Sequence, residues 1–175
     1  MQAIRRVVLR TGRKAHVDSP HSDSTSGVEI ETIQVRYNDL DTLGHVNSVA
    51  YFSFLETARW GFFRGLGFVP DDAFVVARTE CDYIAEIPAS ARQITVETWA
   101  MAVGRTSMTL GHRIMYADRL RARAVAVMVR IDESQWPRPL TEAERYALGR
   151  YPGAPGTDGV PNPSGGAPLP DSSRA

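Results

Sequence analysis

Residues 35–59 read VRYNDLDTLGHVNSVAYFSFLETAR, and three kinds of local order follow one another around them. Val28 to Tyr37 (VEIETIQVRY) alternates apolar and polar residues, the period of a strand covered on one face. NDLDTLGH, residues 38–45, then carries two acids and a glycine without either period, and reads as a loop. Beyond Asn47 the spacing turns helical. Tyr51, Leu55, Ala58, Phe62 and Leu66 fall on one stripe, and Phe52, Phe54 and Phe63 widen it. A helix apolar around most of its girth is expected to be wrapped on several sides rather than laid on a surface. Gly65 and Gly67 are natural stops for it.

Downstream lie four strand-like stretches, at about residues 73–87, 93–103, 106–117 and 119–132. In the last, Val125, Val127, Val129 and Ile131 alternate with Ala124, Ala126, Met128 and Arg130. Gly104-Arg105 and Ala117-Asp118 mark short breaks, so the strands are expected to pair antiparallel. Thr141 with Glu144 has the spacing of a capping box opening a short terminal helix. Strand, long helix and four antiparallel strands together predict an α+β fold. Its form would be a curved antiparallel sheet of about five strands wrapped around one long central helix.

That domain is expected to span residues 28–150. Before it, residues 1–27 place Arg5, Arg6, Arg10, Arg13 and Lys14 around a short apolar stretch, then run polar from Asp18 to Gly27. A disordered basic and polar tail, a transit peptide and a start codon assigned too early all fit this composition. After it, eleven of the nineteen residues from Pro152 to Pro170 are Gly or Pro. Such a segment cannot offset its ordering entropy by burial, so residues 151–175 are expected to be disordered.

Lys plus Arg and Asp plus Glu both total 20, so the formal net charge is zero. This balance gives no electrostatic reason to expect nucleic acid as a partner. No apolar run approaches the ~20 residues of a membrane span. The single cysteine, Cys81, excludes an internal disulfide and any multi-cysteine metal site, and suits a reducing, cytoplasmic setting. No HExxH or Cys/His cluster points to a metal.

With its strand ending in an aromatic, its D-x-D, its Gly-His-Val-Asn turn and its E-x-A-R on the helix, the stretch from Val35 to Arg59 resembles the 4-hydroxybenzoyl-CoA thioesterase family of hotdog proteins, in particular its acyl-CoA thioesterase branch. The resemblance runs over about residues 30–145 and includes Asp82-Tyr83 and the Val96-Glu97-Thr98 strand. Ser90-Ala91-Arg92 departs from it, standing where many relatives have Gly-Asp in the turn before that strand. The resemblance implies hydrolysis of an acyl-CoA thioester to a free acid and CoA, with no cofactor beyond the CoA of the substrate. It also implies a homodimer or dimer of dimers whose active sites lie between subunits. An acyl-carrier-protein thioesterase and a non-catalytic acyl-CoA-binding protein are the alternatives on the same fold.

Thioester hydrolysis needs a nucleophile, or a base for water, beside the carbonyl, and donors for the oxyanion that develops. By resemblance the carboxylate is Asp41. The donors are expected among the free N–H groups of the helix start, at Ser48 and Val49. A carboxylate near that helix end is also favoured in its ionised form. His45, Asn47 and Tyr51 are candidates for shaping the substrate site. Set against these roles, His45 could merely cap a turn, Asn47 is most simply the helix N-cap, and Tyr51 could be core. Asp39 reads as loop-supporting. Glu56 competes for the catalytic role, but three residues before Arg59 it is expected to close a salt bridge. Cys81 is expected to behave as a small apolar strand residue, and His112 as a strand histidine without ligand partners. Arg105, Thr106 and Ser107 form either a polar hairpin turn or, by resemblance, a phosphate contact for CoA.

Overall fold

Five runs of alternating residues find their hydrogen bonds in one antiparallel sheet. These are β1 (Glu29–Gln34), β2 (Phe74–Tyr83), β3 (Gln93–Val103), β4 (Ser107–Tyr116) and β5 (Arg119–Arg130). The computed structural model describes residues 27–68 and 74–152. The two long tails lie outside these residues, and with them the disorder expected there. Within the sheet the order is β1-β3-β4-β5-β2, so β2, next after β1 in the chain, lies at the opposite edge. Between them runs α1 (Ser48–Gly65), whose 18 residues span about 27 Å and lie over β1 and β3. This is the hotdog arrangement that the order of elements predicts.

The strands turn one face to α1. On β3 and β4 the buried positions there are Ile94, Val96, Thr98 and Ala100, and Met108, Leu110, His112 and Ile114. On β5 it is the small residues Ala122, Ala124 and Ala126 that are buried, while Val125 and Val127 lie on the other face. Ala50, Tyr51, Phe54, Leu55, Ala58 and Phe62 supply the bulk from the helix. On the convex side, Trp99 lies over Gly111, its partner on β4, where an added methyl would overlap the indole. Arg113 stacks on the same ring at 5.7 Å.

One expectation is refined and two need correction. The apolar girth of the helix is not wholly covered: Val49, Phe52 and Trp60 are 72%, 43% and 55% exposed. One five-stranded sheet can cover only one flank of a cylinder, so the outer stripe stays bare in a single protomer. Glu56 and Arg59 form no salt bridge. Glu56 is exposed, whereas Arg59 is buried against the sheet with its Nη1 unpartnered among the described residues. Burial lowers the Arg59 pKa, and the nearby charge of Glu56 only partly opposes this. Tyr151, expected in the C-terminal tail, is core. It is 4% exposed, accepts the Ala100 N–H at 3.0 Å through its carbonyl, and packs its ring on Phe62.

The second helix, α2 (Glu142–Leu148), opens with the expected box: Thr141 Oγ1 accepts the Glu144 N–H and Glu144 accepts the Thr141 N–H, at 3.2 and 2.7 Å. Glu144 also takes Arg130 Nε at 2.9 Å and Arg138 Nη2 at 2.8 Å. A capping residue has thus become the buried pin between α2 and β5. These bonds outweigh burial and hold its pKa down at about 2.

Candidate active site

The acid-bearing loop is built by short-range hydrogen bonds. Asp41 N–H donates to the His45 carbonyl at 2.9 Å, and Leu40 and Val46 pair on either side, closing a five-residue turn. Gly44 makes this closure possible with φ +82°, a conformation costly for any residue with a Cβ. Asp41 Oδ1 accepts the Leu43 N–H at 2.8 Å and the His45 N–H at 3.0 Å. The His45 N–H is the main cause of a lowered Asp41 pKa, against a smaller opposing effect of burial. The turn is then stitched to the segment before β3. Val46 N–H donates to Ile87, Ala89 N–H donates to Gly44, and His45 bridges to Pro88.

From there the chain enters α1. Asp39 supports the entry twice, its Oδ2 taking the Arg36 N–H at 2.7 Å and its carbonyl the Asn47 N–H at 2.8 Å. Asn47 is the N-cap, and its side-chain oxygen accepts the Ala50 N–H at 2.8 Å. Ala50 is therefore satisfied, whereas the N–H groups of Ser48 and Val49 have no acceptor among the described residues. Geometry alone leaves these two orphans, since no preceding turn supplies their carbonyls.

A cavity of about 430 Å³ opens at this place. The loop contributes Asp41, His45 and Val46, the first turns of α1 contribute Ser48 and Tyr51, and Tyr83 to Glu86 at the end of β2 form the facing wall. Tyr51 meets the Tyr83 ring edge-on at 5.0 Å, and Tyr83 Oη donates to the Ser48 carbonyl at 3.1 Å. Burial raises the pKa of both phenols and of Cys81, which packs beside them on β2. Behind the wall, Arg121 holds the Glu86 carbonyl at 3.1 Å.

Asp41, His45, Ser48 and Tyr51 thus converge, with Asn47 and Asp39 as supports. The Val49 side chain points to solvent, so only its backbone N–H belongs to the arrangement. Arg105, Thr106 and Ser107 do not join it within one protomer. Their turn sits at the other end of the sheet, where the Arg105 carbonyl accepts from Leu140 and Arg145 and the Thr106 carbonyl accepts the Arg130 N–H. Sequence reasoning missed Tyr83, Glu86 and Arg121. Asp82-Tyr83 was visible as part of the family pattern, but its meeting with α1 depends on β2 crossing to the far edge. His112 is core: it is 1% exposed, 3.0 Å from the Thr98 hydroxyl, and pushed down to about 3 by burial. Among the described residues no group of three or more His, Cys, Asp and Glu side chains is placed to hold a metal ion, and no helix is long and apolar enough to cross a membrane.

Residues 35–165 match the model of the Thioesterase-like superfamily. A thioesterase from Thermus thermophilus, solved in complex with coenzyme A and Zn, is 32% identical, with a TM-score of 0.66 over 75% of this chain and 98% of that one. A predicted thioesterase from Bacillus stearothermophilus is 26% identical, with a TM-score of 0.67 over 74% and 99% of the two chains. The uncharacterised protein YsmA of Bacillus subtilis (strain 168) is 33% identical over 101 residues, 55% of this chain and 67% of that protein. With most of its length matched by the superfamily model and its fold shared with these thioesterases, the chain belongs to the Thioesterase-like superfamily.

Proposed function

We propose that this protein is an acyl-CoA thioesterase of the 4-hydroxybenzoyl-CoA thioesterase type, cleaving an acyl-CoA to a carboxylic acid and CoA without a dissociable cofactor. One observation carries this reading: a carboxylate with a lowered pKa shares a cavity with the start of a helix whose Ser48 and Val49 N–H groups have no acceptor among the described residues. Asp41 is ionised at neutral pH and acts on the thioester carbonyl, as nucleophile or as base for a water. Oδ1 is engaged by the loop, which fixes the carboxylate plane. The oxyanion forms against the Ser48 and Val49 N–H groups and collapses with cleavage of the C–S bond. On the base route Asp41 takes a proton from the attacking water and passes it to the leaving thiolate. On the nucleophile route the acyl–Asp41 anhydride is cleaved by water, whose proton ends on the thiol. His45 and Tyr51 shape the site, and Asn47 holds the helix start.

The active unit is a homodimer or a dimer of dimers. β2 is an edge strand with Val75 and Val76 42% and 46% exposed, and the bare stripe Val49, Phe52 and Trp60 is available for a partner. Antiparallel pairing of β2 with its copy would bring the far end of one sheet toward the near end of the other. That is the route by which Arg105, Thr106 and Ser107 of a second subunit would meet CoA phosphates. A cytoplasmic setting suits such a substrate.

CoA release from a panel of short, long and aryl acyl-CoAs tests the reading, with wild type and Asp41→Asn side by side and a blank for the Cys81 thiol. The expected result is turnover by wild type and a loss of at least about a hundredfold in the variant, roughly 2.7 kcal/mol of transition-state stabilisation. Binding without release would make the protein an acyl-CoA binder, and turnover only of acyl-carrier-protein thioesters would move the substrate class. Equal activity of both proteins would shift the catalytic role to another residue, Glu56 first.

A further inference from the structure

Tyr83 touches α1 at a single polar atom, the Ser48 carbonyl oxygen. That oxygen belongs to the planar peptide unit whose other end is the N–H of Val49. In a regular helix the unit is fixed by the bond its carbonyl accepts from the next turn, while its N–H, in the first turn, has no partner to fix it. A second donor on the carbonyl fixes the plane from the side. It also polarises the unit, so that the N–H at its far end becomes a better donor. The donor comes from β2, an element separate from the acid loop, and the Tyr83 ring is held edge-on against Tyr51 at 5.0 Å. The hydroxyl is therefore aimed by packing on the helix it braces.

We propose that Tyr83 is a positioning residue for the reaction: its hydroxyl orients the Ser48–Val49 peptide so that the Val49 N–H meets the developing oxyanion. The role rests on the thioesterase reading above. No proton is transferred, and Tyr83 remains a neutral donor throughout. Since the brace matters most when negative charge builds on the carbonyl oxygen, it acts on turnover more than on substrate binding.

Ser48-Val49 is the only Ser-Val pair in the chain, so labelling serine with carbonyl 13C and valine with 15N isolates the resonance of this one peptide in the full-length protein. Tyr83→Phe removes the hydroxyl and keeps the ring. The expected result is a displaced Ser48 carbonyl and Val49 amide resonance, a kcat lowered roughly five- to tenfold, and a KM within about twofold of wild type. 4-Aminophenylalanine at position 83 restores a donor and is expected to recover most of the loss. Tyr146→Phe, on the exposed face of α2, is the control. An unmoved resonance in Tyr83→Phe overturns the proposal. So does a raised KM at unchanged kcat, which would make Tyr83 only a wall of the pocket, or failure of the amino analogue to recover turnover. If wild type releases no CoA from any thioester, the hydrolase reading falls by itself. The labelled resonance then still decides whether Tyr83 holds this peptide.

Discussion

The catalytic role proposed for Asp41 ties activity to pH through the surroundings of that carboxylate. Its lowered pKa, due first to the His45 N–H, means that the carboxylate stays ionised well into the acid range. A group that serves as base or nucleophile when ionised loses function only as pH falls through its own pKa. The acid limb of the kcat/KM profile is therefore expected to lie below that of an ordinary aspartate, with the profile flat around neutrality. Stopped assays on protein shown to be folded at each pH would check this. A limb between pH 5 and 7 would instead show that a group other than Asp41 limits the reaction. Asn47 gives a second residue-scale expectation. Replacing it by Ala removes the acceptor of the Ala50 N–H, costing about 1 kcal/mol in denaturant melts and lowering kcat as the helix start loosens.

At the scale of elements, close contacts decide which substitutions are tolerated. Gly111→Ala would push a methyl into the Trp99 indole, which the strand backbones cannot easily avoid, and is expected to cost about 1–3 kcal/mol. The β4–β5 hairpin offers the opposite case. Ala117 and Asp118 hold φ of 50° and 56° in a two-residue turn, the conformation that Asn-Gly adopts with little strain. Ala117→Asn with Asp118→Gly should raise stability by about 1 kcal/mol, since both residues of the turn then hold φ > 0 with less strain. The comparison of melting midpoints decides both.

For the whole molecule, stability should depend on pH through His112. Its pKa is lowered from 6.5 to about 3, so the unfolded chain binds a proton that the folded chain refuses. Stability is thus fully present above about pH 6.5 and falls with decreasing pH, on the order of 1 kcal/mol per unit. Glu144, lowered from 4.5 to about 2, adds its own loss only as pH falls from 4.5 toward 2. The window from 6.5 to 4.5 therefore isolates His112, and His112→Asn is expected to flatten the denaturant-melt slope there. Assembly belongs to the same scale. In light scattering, wild type is expected to be at least dimeric, and Val75→Asp combined with Val76→Asp on the β2 edge to be monomeric, with turnover lost in parallel. An active monomer would refute a site shared between subunits.

The order of elements, the antiparallel hairpins, the Asn47 cap, the Thr141–Glu144 box and the acid turn around Gly44 were all legible in the sequence, because each depends on residues within a few positions of one another. The turn that holds Asp41 is closed by its own neighbours, whereas the role expected of that acid came from the family resemblance. The tertiary structure decided what long-range packing controls. It chose the alanines of β5 over the valines to face a bulky helix. It drew Arg59 inward, away from Glu56, and turned Tyr151 from tail into core. It carried β2 across to the far edge, where Tyr83 meets the start of α1. In each case the partner lies dozens of residues away, and no local period encodes which of two faces, or which of two ends, will find it.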